Sequence, residues 1–305
     1  MPNPVFSPSS PLAQSIANLF ILTLAIGGAI LLLVMGLVFY SAYKFRARPG
    51  QPEPKQDFGR LHLELGWTAA PLLIVLGLLG YSIVVMGVSD PAVPSGEDPP
   101  DITIIGHQWW WEVKYPPSGA LTANEIHIPA NKRLLFAIES ADVIHDFWVP
   151  ALGRKMDAIP GRTNYIWQEA IKPGTYLGTC AEFCGLQHAW MRIRVIAQTQ
   201  EEFDAWIQQQ LTIPSIPSTG EAATGQQLFR ELPCVNCHVI DFIGPNLTHF
   251  GSRETLGAGV LTNTPENLYK WLADPQAIKP GVYMPNLNLT QDQINALVAY
   301  LEASK

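Results

Sequence analysis

A chain of 305 residues with a formal net charge of −7 does not suit a nucleic-acid binder, which needs a basic face. Charged residues make up 15% and hydrophobic ones 48%, a balance that leans toward a membrane protein with about two domains outside or inside the bilayer. All four cysteines fall in two short motifs, Cys180/Cys184 and Cys234/Cys237, a placement that suits metals and cofactors better than structural staples.

Residues 16–43 contain no charged side chain, and neither do residues 65–89. Each stretch exceeds the roughly 20 apolar residues that a helix needs to cross a bilayer, so two transmembrane spans are expected. No Lys or Arg precedes the first span, which is unlike a secretory signal peptide. The loop over residues 44–64 holds Lys44, Arg46, Arg48, Lys55 and Arg60. By the positive-inside rule that loop is cytoplasmic, and everything from about Asp90 onward lies outside the cytoplasmic membrane. The second span opens on His62-Leu63-Glu64-Leu65-Gly66-Trp67, with Pro71 following. A carboxylate such as Glu64 at a helix edge reads by default as a solvated end residue.

Pro91, Pro94, Gly96, Pro99 and Pro100 mark residues 90–100 as a linker leaving the membrane. From Asp101 to about Ala197 short β-branched and aromatic runs alternate with turn signals, over 102–113, 125–128, 134–138, 165–171 and 190–196. Strands at this spacing predict a β-sandwich or barrel. Within the first run, Trp109, Trp110 and Trp111 are adjacent, and side chains on a strand alternate faces, so the three are not all expected in the core.

Cys180, Cys184, His188 and Met191 recur at intervals of four, four and three. Two thiolates, an imidazole and a thioether form a soft donor set that selects copper over magnesium or calcium. A mononuclear blue-copper site uses one Cys, whereas two thiolates in one loop can bridge two coppers, each completed by a His. His145, in the run Val143-Ile144-His145-Asp146-Phe147-Trp148, supplies a second imidazole from upstream. A structural zinc site or a Cys180–Cys184 disulfide are the alternatives, the thioether arguing against zinc.

The segment resembles the binuclear copper (CuA) loop of subunit II of haem-copper cytochrome c oxidases. That resemblance implies copper ligation by His145, Cys180, Cys184, His188 and Met191, with Glu182 contributing its backbone carbonyl. It implies a cupredoxin-like Greek-key sandwich with the copper loop joining two strands at one end. It assigns Glu182 a second role, its carboxylate reaching a magnesium ion at the subunit I interface. Asp142, Asp157 and Arg162 match positions that hold the copper domain against subunit I. Gly106-His107-Gln108-Trp109-Trp110-Trp111 resembles the family's GHQWYW, whose first Trp receives electrons from cytochrome c; that residue is Trp109, and Trp110 stands where the family has Tyr. Carried onto the second span, the resemblance makes Glu64 a proton-uptake entrance.

Residues 201–211 read as an amphipathic helix, and 213–220, Ile-Pro-Ser-Ile-Pro-Ser-Thr-Gly, as a semi-rigid linker. Beyond it, Cys234-Val235-Asn236-Cys237-His238 is the c-type haem attachment signature: both thiols add to the haem vinyls and His238 binds the iron. A thioredoxin-like pair gives no use to the adjacent His, and zinc needs more ligands than His249 supplies. Met284, in Gly281-Val282-Tyr283-Met284-Pro285, is the only methionine after the copper loop and sits in a segment resembling the distal-ligand region of class I cytochromes c. His/Met ligation raises a haem potential. Helices are expected over 222–232, 265–272 and 291–303, the layout of a small all-α cytochrome.

Together these parts predict a multi-domain membrane protein: a two-helix transmembrane hairpin, an all-β cupredoxin-like sandwich and an all-α class I cytochrome c domain. The expected divisions are 1–90, 91–200, a helix and linker over 201–220, and 221–305. The resemblance as a whole is to the caa-type subunit II. It implies electron flow from haem c to CuA and on to subunit I, where oxygen is reduced and protons are pumped. Subunit III, cytochrome c or a quinol-oxidising complex as donor, and a bacterial inner membrane complete the expectation. The copper-bearing subunit of a nitric oxide reductase and a membrane-tethered electron carrier are the competing readings.

Overall fold

The structure is a computed structural model that describes residues 6–53, 56, 58–89, 99–240 and 243–305. Lys55 and residues 90–98 of the expected linker lie outside the described residues. The chain divides into two compact units, residues 14–91 and the remainder.

The first unit is a pair of long helices, α1 (Pro11–Lys44) and α2 (Leu61–Ser89), each long and apolar enough to cross a membrane. Their Leu, Ile and Phe side chains point outward, Leu32 being 74% and Phe39 65% exposed, which suits lipid and not water. The Oγ atoms of Ser15 and Ser89 pair at 3.0 Å and tie one end of the hairpin together.

The second unit begins with a β-sandwich. Its strands are β1 (Ile102–His107), β2 (Trp110–Tyr115), β3 (Ala120–Ala123), β4 (Glu125–Pro129), β5 (Leu134–Ser140), β6 (His145–Trp148), β7 (Met156–Ala158), β8 (Asn164–Gln168), β9 (Gly174–Cys180) and β10 (Arg192–Gln198). They form two five-stranded sheets, ordered β3-β2-β1-β5-β8 and β4-β10-β9-β6-β7. Parallel pairs β1/β5 and β4/β10 among antiparallel neighbours give the mixed arrangement of a cupredoxin-like Greek key. Alternation drives the layering: Ile102, Ile104, Val113, Ile126, Ile128, Phe136, Ile138, Ile193 and Val195 are buried between the sheets while their neighbours turn to the opposite faces, some of which are covered in turn. Each such side chain contributes about 2 kcal/mol on leaving water. α3 (Gln200–Leu211), begun by a Thr199/Glu202 capping box, packs on the sandwich by stacking Trp206 on His127 and setting it edge-to-face with Tyr115.

The expected strand over 102–113 is two strands. β1 and β2 fold back on each other with His107 opposite Trp110, so Gln108 and Trp109 form the turn. No Gly, Pro, Asn or Asp marks that reversal, which is why strand propensity ran through it. As expected the three Trp residues do not share one core, Trp109 and Trp111 joining the core between the sheets and Trp110 a separate cluster, yet all three are buried. Trp109 lies outside the strands, Trp111 points into the core, and Trp110 on the opposite face is covered by Ala258 of the helical region; their exposures are 6%, 0% and 6%.

Residues 213–220 carry no regular helix or strand. Beyond them come α4 (Glu221–Glu231), α5 (Pro265–Ala273), the short α6 (Pro275–Ile278) and α7 (Gln291–Ala303), close to the expected helices. α4 and α7 cross at Gly225, where a Cβ would lie 1.9 Å from the carbonyl oxygen of Ala296. The close crossing lets Phe229, Leu268, Leu297 and Leu301 share one core. This region packs directly on the sandwich: buried Glu125 accepts hydrogen bonds from the backbone N–H groups of Glu254 and Thr255, and Arg194 pairs with Glu254 at 2.5 Å.

Candidate functional site

Two neighbouring strand ends and one loop bring the soft donors together. His145 opens β6, Cys180 closes β9, and the loop to β10 carries Glu182, Cys184, His188 and Met191. His145, Cys180 and Cys184 are buried, and their ligand atoms lie within 4.8 Å of one another. The Sγ atoms of Cys180 and Cys184 are 3.7 Å apart. A disulfide needs about 2.05 Å, and all four cysteines are free. Two thiolates sharing metal ions through bonds of about 2.3 Å subtend such a separation at ordinary angles. Around this pair stand His145 Nδ1 at 4.0 Å and the Glu182 carbonyl at 3.3 Å from Cys180, and His188 Nδ1 at 3.6 Å and Met191 Sδ at 3.9 Å from Cys184. Four donors around two sulfurs, six in all, exceed what one tetrahedral zinc takes and fit a pair of thiophilic ions.

The imidazole of His145 is held in one tautomer. Its Nε2 donates to Asp142 Oδ1 at 2.8 Å, which leaves the Nδ1 lone pair facing Cys180. Burial pulls the His145 pKa down, but Asp142 and Cys180 outweigh it and the net shift is upward. Asp142 is held below the usual carboxylate range because the His145 bond and the N–H groups of Val143 and Gln108 together outweigh its burial. The Cys184 thiol, hydrogen-bonded to Cys180, stabilises the Cys180 thiolate and depresses its pKa to about 3. Gly106 makes room for the ring: a Cβ there would come within 2.7 Å of His145 Cδ2.

In the helical region, Cys234, Cys237, His238 and Met284 line a cleft enclosing about 1410 Å³ with its open mouth. Its other walls are mostly apolar, including Phe229, Leu247, Phe250, Leu268 and Leu297. His238 Nδ1 donates to the Pro245 carbonyl at 2.7 Å, so Nε2 keeps the lone pair. Burial lowers the His238 pKa, keeping the ring a neutral ligand. Asn236–Ile240 winds as a π-type turn, a local irregularity of the kind found at functional sites. Free thiols, a tautomer-fixed imidazole and a thioether around an apolar cleft fit a covalently attached haem.

Residues 119–198 match the family of the periplasmic domain of cytochrome c oxidase subunit II, and residues 222–305 match the cytochrome c family. Cytochrome c oxidase subunit 2 of Alkalihalophilus pseudofirmus OF4 is 36% identical over 98% of this chain and 90% of its own length. This chain belongs to the cytochrome c oxidase subunit 2 family. The subunit of the same name from Bacillus sp. PS3 is 34% identical over 86% of this chain and 80% of its own length, and that of Bacillus subtilis 168 is 32% identical over 88% and 82%.

The chain is thus the subunit at which electrons enter a haem-copper oxidase, with a cytochrome c domain fused to its copper domain as in the caa type. Its two domains imply copper and haem c, and its apolar helices anchor a domain outside the membrane. A subunit 2 works in association with other oxidase subunits. Both competing functional readings give way to the family membership.

Sequence reasoning did not find several residues that organise this subunit. Asp142, expected at a subunit interface, also orients His145 and accepts from Gln108 N at 2.6 Å. Gln108 and Trp109 both donate to the Cys184 carbonyl, at 2.8 and 2.9 Å. Lys279 is 1% exposed and donates to the carbonyls of Trp109 and Gly257; burial pushes its ammonium down to about 8. Only the placement of Gln108 beside Trp109 and of Lys279 near Met284 hinted at such roles. Glu64 lies in the first turn of α2, exposed, with its carboxylate over Gly59. Asp157 and Arg162 are exposed on the sandwich.

Proposed function

We propose that this subunit takes electrons at a haem c held by Cys234, Cys237, His238 and Met284 and passes them through Trp109 to a binuclear copper centre. In this reading the copper ligands are His145, Cys180, Cys184, His188 and Met191, with the Glu182 carbonyl. The electrons leave for subunit I, which reduces oxygen to water. The single observation that carries the reading is the convergence of two cysteine sulfurs, two imidazoles and a thioether in one largely buried cluster.

A binuclear copper held by Cys180, Cys184, His145, His188 and Met191 would supply one-electron transfer with little structural change. The protein's part is to hold the donors still. Asp142 fixes the His145 ring, and Gln108 and Trp109 grip the loop at the Cys184 carbonyl. Donors already in place cost little rearrangement when charge arrives. Tethering the haem domain through residues 213–220 raises its effective concentration beside the copper domain.

The finer assignments follow the same reading. Domain divisions fall at 1–90, 91–200, 201–220 and 221–305. Exposed Val143, Ile144, Phe183 and Leu186 rim the copper loop and offer subunit I an apolar face, flanked by Asp157 and the Glu182 carboxylate for magnesium. Subunit III completes the complex. Cytochrome c or a quinol-oxidising complex supplies electrons at the haem domain. Glu64, at the margin of α2, admits protons to subunit I from the cytoplasmic side of a bacterial inner membrane, where the basic loop 44–64 lies.

The test uses the complex purified from native membranes through a tag on this subunit. With reduced donor, cyanide-sensitive oxygen uptake and proton release are expected, together with copper and covalent haem in the same sample. Nitric oxide consumption without oxygen uptake would overturn the reading, as would recovery of the subunit with no catalytic partner.

A further inference from the structure

The haem cleft and the copper loop meet at one small junction. Tyr283, the residue immediately before Met284, lays its ring against Trp109 with centroids 4.9 Å apart and planes tilted by 39°. Its hydroxyl donates to Gln108 Oε1 at 2.8 Å. Gln108 and Trp109 in turn donate to the Cys184 carbonyl at 2.8 and 2.9 Å. An unbroken run of bonds and contacts therefore links the methionine of the haem cleft to a cysteine of the copper loop.

The junction is clamped from both sides. Lys279 Nζ reaches the Trp109 carbonyl at 3.3 Å, Trp110 Nε1 donates to the Ile243 carbonyl at 3.0 Å, and Gln187 Nε2 donates to the Pro280 carbonyl. Trp109 is left 6% exposed, so in this arrangement no second protein reaches its face. Tyr283 itself stays 57% exposed at the rim.

From this geometry we propose that Tyr283 is the residue through which an electron leaves the haem domain, coupling the Met284 segment to Trp109 within the same chain. The inference rests on the cofactor reading above. In the step, the ferrous haem iron is oxidised to ferric and the copper centre gains that one electron; no bond breaks and the Tyr283 hydroxyl keeps its proton. Tyr283 contributes a π-system that closes the gap, and its bond to Gln108 sets the ring's angle. Trp109 then serves as an internal junction, and an external donor delivers to the haem domain.

The experiment injects one electron into haem c of the intact oxidase with a photoexcited ruthenium complex. Haem c reoxidation and copper reduction are then followed optically in wild type, Tyr283→Phe and Tyr283→Ala. Loss of the ring should slow the transfer about tenfold or more, as misplacement of a reacting contact does, while the Phe variant stays within about threefold of wild type. Absorption spectra and midpoint potentials of both centres should be unchanged in both variants. An unchanged rate in Tyr283→Ala would overturn the proposal, as would an equal loss in Tyr283→Phe or a loss explained by a shifted haem potential. Wild-type complex without both chromophores would instead overturn the cofactor reading, before any variant is made.

Discussion

Glu125 and Thr255 are 130 residues apart in sequence, yet one carboxylate oxygen of Glu125 accepts both the backbone N–H of Thr255 at 2.7 Å and its hydroxyl at 2.5 Å. The other oxygen accepts from Glu254 N at 3.0 Å, and Glu125 is only 1% exposed. A buried acceptor on the sandwich thus fastens the haem domain to the copper domain. Glu125→Ala leaves those donors without a partner, at about 1–3 kcal/mol each. The docked arrangement should loosen by roughly tenfold or more. Limited proteolysis should then cut residues 212–220 faster in the variant, with the copper and haem spectra retained.

In the proposed copper reading Cys184 is a bridging ligand, and Cys184→Ser puts there a hydroxyl that binds soft metal poorly. Copper content should fall from two ions to at most one, and the delocalised spin signal should vanish. A delocalised signal surviving in this variant would mean that Cys184 does not bridge. Met191→Leu keeps both thiolates and both imidazoles, so copper should stay bound while its potential shifts.

Gly225→Ala sets a methyl group against the backbone of α7, where no flexible side chain can give way. Overpacking of this kind costs about 3 kcal/mol. Thermal unfolding of the haem domain, read from helical circular dichroism, should move down by roughly 10 °C or more.

His127 stacks on Trp206 with ring centroids 4.1 Å apart and hydrogen-bonds Gln198 at 2.9 Å. Burial lowers its pKa to about 4. Unfolded, the ring titrates near 6.5. Above that pH both states are neutral and the stability is complete. As pH falls toward 4 chiefly the unfolded state takes up the proton, so about 3 kcal/mol is lost across that window and little more below it. Melting temperature measured from pH 7.5 to 4 should show this decline, and His127→Phe should flatten it.

Covalent chemistry and periodicity were legible in the chain itself. Uncharged runs long enough for a bilayer, the Cys-x-x-Cys-His signature and the Cys180–Met191 spacing each state a local requirement: apolar length, two thiols beside a ligand, soft donors in one loop. So did α5 and α7, whose caps and apolar spacing lie within a few residues. What local pattern does not carry is reversal without a turn residue and contact across distance. Gln108-Trp109 turned a single expected strand into a hairpin, and this took Trp109 out of the strand alternation. Asp142, Gly106, Glu125, Lys279 and Tyr283 look ordinary in sequence because much of their meaning lies in distant partners, Gln108 bonding Asp142 34 residues away and Tyr283 175 residues away. The sequence by itself determined where soft donors and the paired thiols with their adjacent imidazole are concentrated, since donor chemistry belongs to the side chain. Only the tertiary structure decided which face of the copper domain the haem domain covers, because that depends on the packing of two surfaces and not on any one segment.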